Sequence, residues 1–157
     1  MSVAEDILAE AKARGVMIAS AESCTGGMIS AAITDIAGSS AIFDRGFVTY
    51  TNAAKEAMLG VRAVTLSAHG AVSEEVAQEM AEGALARSDA AIAVAVTGIA
   101  GPGGSEFKPE GRVCFGLAAT GHPTLTETVD FGAIGRAKVR RATVDHALAL
   151  ILNTLRT

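Results

Sequence analysis

The sequence has no tryptophan, one tyrosine and five phenylalanines, so aromatic residues make up only 4% of it. A core built around stacked rings is excluded. Burial has to rest on Ala, Val, Ile, Leu and Met, within a hydrophobic fraction of 50%. Cysteine is also scarce: Cys24 and Cys114 lack the paired spacing of a disulfide framework or a zinc site. His69, His122 and His146 are scattered without metal-ligand spacing, so neither a metal nor a cofactor is expected. Basic residues are not in excess, with 13 Lys and Arg against 17 Asp and Glu and a net charge of −4. Nucleic-acid binding needs a basic surface and is not expected, although a few local cations suffice for a small anion. No apolar run reaches the ~18 residues of a membrane span. The opening Met-Ser-Val-Ala-Glu-Asp has neither the basic nor the apolar region of a secretion signal. The expectation is a cytoplasmic protein with no membrane partner.

What is present is a chain of 157 residues, a length that suits one domain, with 17 glycines clustered at particular places. Ser2 and Glu5 form a capping-box pattern that starts a helix ending near Gly15. Val16 to Ser20 reads as a buried strand and Met28 to Ile36 as a second helix. Phe43 to Tyr50 reads as another strand, and Asn52 as the N-cap of a short helix ending at Gly60. Ser73 caps a longer helix, in which Val76, Met80, Ala84 and Leu85 recur at helical spacing. Ala90 to Val96 is an apolar strand, followed by a glycine-rich loop from Thr97 to Gly111. Val113 to Ala119 and Leu125 to Phe131 predict two more strands, and a helix runs from about Arg136 to Leu155. Strands alternating with helices predict a single three-layer α/β/α domain around a central mixed sheet, spanning residues 1–157. The order of the strands cannot be read this way.

Four segments carry candidate chemistry. Glu22-Ser23-Cys24-Thr25-Gly26-Gly27 joins a strand to a helix, where free N–H groups and the helix dipole favour an anion or an oxyanion. Taken alone, Ser23 or Thr25 more commonly caps a helix. Tyr50 and Lys55 follow the second strand. A lysine in the first turn of a helix opposes the dipole, and partial burial there would lower its pKa and suit it to act as a base; a solvated surface lysine is the ordinary alternative. The loop beginning Thr97-Gly98-Ile99-Ala100-Gly101-Pro102 leaves the most apolar strand and is placed to face a ligand, or to serve as a structural turn. It matches neither a P-loop nor a dinucleotide fingerprint. Arg136 and Arg140 share a face at the start of the last helix, an unusual place for cations unless they meet an anion such as phosphate or acidic neighbours. Cys24 is a rival nucleophile and His69 a rival base, and spacing does not decide between them. There is no Gly-x-Ser-x-Gly elbow.

Five motifs occur in order: Ala21-Glu22-Ser23-Cys24-Thr25-Gly26-Gly27; Gly46-Phe47-Val48-Thr49-Tyr50 with Asn52 and Lys55; Gly70-Ala71-Val72-Ser73; Thr97 to Pro102; and Lys108-Pro109 with Gly111. Over about residues 4 to 152 the chain resembles the CinA C-terminal family, whose characterised members are nicotinamide-nucleotide amidases. The resemblance implies a serine amidohydrolase that converts nicotinamide mononucleotide to nicotinic acid mononucleotide and ammonia, in pyridine nucleotide salvage. It implies Ser23 as nucleophile, Lys55 as base and Tyr50 orienting the pair. With it go an oxyanion site at Thr25, Gly26 and Gly27, a pocket at Thr97, Gly98 and Gly101, and a phosphate contact at Arg136 or Arg140. It also implies a homodimer. Two positions depart from the family pattern: Gly135 stands where an acidic residue often precedes the arginine, and the stretch between Pro102 and Lys108 is short. The alternative reading is a non-catalytic nucleotide-binding or competence-linked interaction module on the same fold.

Overall fold

The computed structural model describes residues 1–105 and 107–157. Helix α1 (Val3–Arg14) opens with a reciprocal cap: the Ser2 hydroxyl accepts from the Glu5 N–H, and the Glu5 carboxylate accepts from the Ser2 N–H. It ends at Gly15, whose φ of 65° is left-handed and open to glycine without strain.

Strands β1 (Ile18–Glu22), β2 (Phe43–Val48), β3 (Ile92–Gly98), β4 (Arg112–Ala119) and β5 (Leu125–Asp130) form one sheet in the order β2-β1-β3-β4-β5. The first three run parallel, and β4 and β5 add antiparallel pairings. β1 and β3 read Ile-Ala-Ser-Ala-Glu and Ile-Ala-Val-Ala-Val-Thr-Gly. Side chains alternate across a strand, so Ile18, Ile92, Val94 and Val96 lie on one face and Ala19, Ala21, Ala93 and Ala95 on the other.

The branched face packs against α1, α2 (Met28–Thr34) and α6 (Arg136–Leu155) through Ile7, Ile29, Ile33, Val139 and Ile151. Each such fully buried side chain contributes roughly 1.5–3 kcal/mol of transfer free energy. The alanine face receives α5 (Glu74–Ala86) through Val76, Met80 and Ala84. Small residues bring this helix unusually close. A Cβ on Gly116 of β4 would lie 2.5 Å from the Ala77 carbonyl oxygen. Helices α3 (Asn52–Leu59) and α4 (Ala63–His69) pack against α5. Helices therefore cover both faces of a mixed, open sheet, the expected α/β class.

Several boundaries differ from the expectations. β1 starts at Ile18, α2 ends at Thr34 and β2 ends at Val48. Thr51, not Asn52, is the N-cap of α3, and its hydroxyl accepts from the Ala54 N–H. Thr97 and Gly98 complete β3 rather than opening the loop, because they pair with Cys114 and Val113 of β4. Position 106 of the glycine-rich loop lies outside the described residues. Helix α4 was not anticipated. Its N-cap, Arg62, offers no side-chain cap bond. The cap comes instead from Glu79 on α5, which accepts from the Arg62 N–H at 2.8 Å and the Thr65 hydroxyl at 2.6 Å.

Candidate active site

From β1 the chain passes to β2 on one flank and returns to β3 on the other. Where strand order reverses in this way, the loops at the carboxyl ends diverge and leave a crevice. A cavity of about 350 Å³ opens at that point. Ser23 and Cys24 after β1, Tyr50, Asn52 and Lys55 after β2, and Thr97 to Ser105 at the end of β3 line it, with Ala71, Val72 and Arg136.

Ser23 directly follows the last residue of β1, and its N–H donates to the Val96 carbonyl of β3 at 3.2 Å. Lys55 is 2% exposed, and its Nζ donates to the Ser23 Oγ at 3.1 Å and to the Thr49 carbonyl at 3.1 Å. The Thr49 N–H in turn donates to the Glu22 carbonyl at 2.8 Å. The serine hydroxyl after β1 and the amine on α3 thus meet where the ends of two neighbouring strands are tied to each other. Lys55 is buried and in contact with the hydroxyl, not a surface lysine.

Tyr50 lines the same cavity, but its hydroxyl accepts from Arg136 Nη2 at 2.6 Å. Arg136 Nη1 donates to the Gly101 carbonyl at 2.8 Å, so the arginine bridges two sides of the rim. Thr97 donates to the Ala71 carbonyl at 2.9 Å and holds the opposite wall. Gly98 is required: a Cβ there would lie 2.6 Å from the Val113 Cγ2 and 2.9 Å from the Arg112 carbonyl oxygen. Lys108 Nζ donates to the carbonyls of His69 and Val72, which staples the glycine-rich loop to the segment before α5.

Other candidates lie elsewhere. Thr25, Gly26, Gly27 and Arg140 are not among the cavity-lining residues. The Thr25 hydroxyl donates to Glu22, and the Gly26 N–H to the Ser23 carbonyl. Arg140 donates to the carbonyls of Cys24 and Thr25 at 3.0 and 3.2 Å, so it braces the turn. The start of α2 is occupied as well, since the Ile29 and Ser30 N–H groups donate to the Glu22 carboxylate. His69 is half-exposed beside Glu75 and lines a different groove. Cys24 touches the cavity, but burial pushes its thiol up to about 11, which outweighs the opposing effects of its own backbone and of nearby Arg140. It is a protonated thiol at neutral pH, with little nucleophilic character. Among the described residues no cluster of three or more His, Cys, Asp or Glu is placed to hold a metal ion. No described helix is long and apolar enough to cross a membrane.

Sequence reasoning missed Asn52 as a wall residue, the Ala71–Val72 wall and the buried carboxylate of Glu22. The last had a legible signal, a charge closing an otherwise uncharged strand. The other two depend on how distant loops meet.

A hydroxyl held by a buried amine at the carboxyl edge of an open mixed sheet characterises the site. The chain belongs to the CinA C-terminal domain family, whose model matches residues 1–155. The nicotinamide-nucleotide amidohydrolase PncC of Escherichia coli (strain K12) is 52% identical over 149 residues, which cover 94% of this chain and 90% of that protein. A CinA-like protein of Chlorobium phaeobacteroides (strain BS1) is 52% identical over 147 residues, 91% of this chain. The chain spans about a third of that longer relative, with 35% of its length matched. The crystal structure of the competence/damage inducible protein CihA from Agrobacterium tumefaciens superposes with a TM-score of 0.94 at 52% identity, covering 99% of this chain and 94% of that one.

Proposed function

We propose that this chain is a nicotinamide-nucleotide amidohydrolase that releases ammonia from nicotinamide mononucleotide and leaves nicotinic acid mononucleotide. The observation that carries the reading is the 3.1 Å contact between Lys55 Nζ and Ser23 Oγ inside the cavity. Relatives named nicotinamide-nucleotide amidohydrolase support it, with matches over 94% and 80% of this chain.

In the reaction Lys55, as the neutral amine, takes the Ser23 proton as the hydroxyl attacks the carboxamide carbon. The Lys55 proton passes to departing ammonia, and water then hydrolyses the acyl-enzyme with Lys55 again as base. The Gly98 to Gly101 segment, which lines the cavity, meets the substrate. Arg136 is the cation in the cavity wall and takes the phosphate through charge-assisted hydrogen bonds. Arg140, which does not line the cavity, is left out of the phosphate contact. Tyr50 acts by holding Arg136. Residues 1–157 work as one amidohydrolase domain, as a homodimer in the cytoplasm, and serve pyridine nucleotide salvage.

The test is ammonia release from nicotinamide mononucleotide by wild type and by Ser23→Ala, with and without a chelator. Release by wild type alone, insensitive to chelator, supports the reading. A folded wild type that releases none overturns it.

A further inference from the structure

Glu22 is a fully buried carboxylate that the proposed reaction does not use. Its side chain gathers four donors: Oε1 accepts from the Thr25 hydroxyl at 2.5 Å and the Ile29 N–H at 2.8 Å, and Oε2 from the Ser30 N–H at 3.0 Å and the Ser30 hydroxyl at 3.1 Å. Each oxygen accepts from one main-chain N–H and meets one hydroxyl. The two main-chain donors belong to the first turn of α2, where an anion is favoured by the helix dipole and by free N–H groups. Residues 23–28 are therefore closed into a turn whose far end is bolted to its own first neighbour. Ser23 sits in that turn.

The main chain of Glu22 holds the other half of the pair. Its carbonyl accepts from the Thr49 N–H, and the Thr49 carbonyl accepts from Lys55 Nζ. Glu22 itself is absent from the cavity lining. It touches neither space open to substrate nor the reacting oxygen.

We infer that Glu22 is a positioning residue: its carboxylate, satisfied by Thr25, Ile29 and Ser30, fixes the turn that aims the Ser23 hydroxyl at Lys55. The inference rests on the serine–lysine reading of the site, but not on the identity of the amide. An amide at position 22 would offer one acceptor oxygen and set its NH₂ against a main-chain N–H of Ile29 or Ser30, which cannot accept. The turn would then shift to recover its hydrogen bonds. A displacement of about 1 Å at a reacting group costs on the order of a hundredfold in rate.

The experiment follows Ser23 directly, by the rate at which a fluorophosphonate modifies it, read by intact mass and peptide mapping. Wild type, Glu22→Gln, Thr25→Val and Thr25→Ser are compared well below their melting temperatures. Thr25→Val removes one donor while keeping the side-chain shape, and Thr25→Ser restores it. Labelling should slow at least tenfold in Glu22→Gln, slow in Thr25→Val and recover in Thr25→Ser. With nicotinamide mononucleotide the same variants should lose kcat while KM stays near wild type. Wild-type labelling rates in folded Glu22→Gln overturn the inference, as does a wild type that is not labelled at Ser23. If Glu22→Gln does not fold, the Thr25 pair decides: equal labelling of Val and Ser variants refutes it. A wild type that is labelled in this pattern yet releases no ammonia from the nucleotide sinks the amidase reading and leaves this one standing.

Discussion

Arg136 and Tyr50, 86 residues apart in the chain, meet at 2.6 Å between guanidinium and hydroxyl on the rim of the cavity. The same guanidinium holds the Gly101 carbonyl, so it spans the mouth from the loop after β2 to the loop after β3. Its charge faces a cavity that Lys55 also lines, withdrawn from solvent. The guanidinium thus stands at the rim, apart from the contact between Lys55 and Ser23.

Arg136→Met should therefore raise KM for nicotinamide mononucleotide by roughly ten- to hundredfold, the loss of charge-assisted hydrogen bonds, with a smaller change in kcat. Tyr50→Phe should have a lesser effect in the same direction, since the Gly101 carbonyl still holds the arginine. Steady-state kinetics on both variants check this. A kcat loss without a KM change in Arg136→Met would move the arginine out of substrate binding.

Lys55→Met keeps most of the volume of a side chain that is among the largest fully buried ones. It should lower kcat by roughly 10²–10⁴, the usual contribution of a positioned acid–base group. The variant's thermal melt is the control for folding. Near-normal turnover would refute Lys55 as the base.

Cys24→Ala should remain active. Burial raises the thiol from 9.0 to about 11, so at pH 8 it is protonated and slow to alkylate. Below pH 9 the thiol is uncharged both folded and unfolded. Between about 9 and 11 the folded chain keeps a proton that the unfolded chain gives up, so this group's contribution to stability falls as pH rises through that window. Iodoacetamide labelling at pH 8 and denaturant melts between pH 8 and 11 give the check. Loss of all activity in a folded Cys24→Ala would put the sulfur in place of Ser23.

Gly98→Ala should destabilise by about 1–3 kcal/mol, the cost of forcing an atom into an occupied space, because the added Cβ meets Val113 and a main-chain oxygen of β4. It should also lower kcat/KM, since Gly98 lines the cavity. Gly121→Ala serves as comparison: it has no neighbour within 4 Å and stands away from the cavity, though its φ of 81° carries a strain of its own. Urea melts and initial rates on the two variants distinguish crowding at the site from the loss of a glycine.

What the sequence determined by itself is what short-range chemistry controls. Ser2 with Glu5, Gly15 and Ser73 mark helix ends through bonds spanning a few residues, and each is found in place. The alternation of Ile and Val with Ala in β1 and β3 already encodes two buried faces, one shaped for large side chains and one for a close helix. The order of the motifs pointed to the family, since Ser23, Tyr50 and Lys55 occur in recognisable company. Only the tertiary structure decided the rest. Helix α4 takes its cap from Glu79 on another helix, a contact that no local pattern carries. Arg136 and Arg140 are indistinguishable as a helical pair, but one turn of helix sends the first to the cavity and the second to the carbonyls of Cys24 and Thr25. The strand-to-helix junction offers an anion site in isolation, until the chain folds and the Glu22 carboxylate takes the Thr25 hydroxyl and the Ile29 and Ser30 N–H groups at the start of α2. Burial of Lys55 against Ser23 belongs to the same class, because it depends on where β1 and β2 lie in the sheet and not on the residues that flank either one.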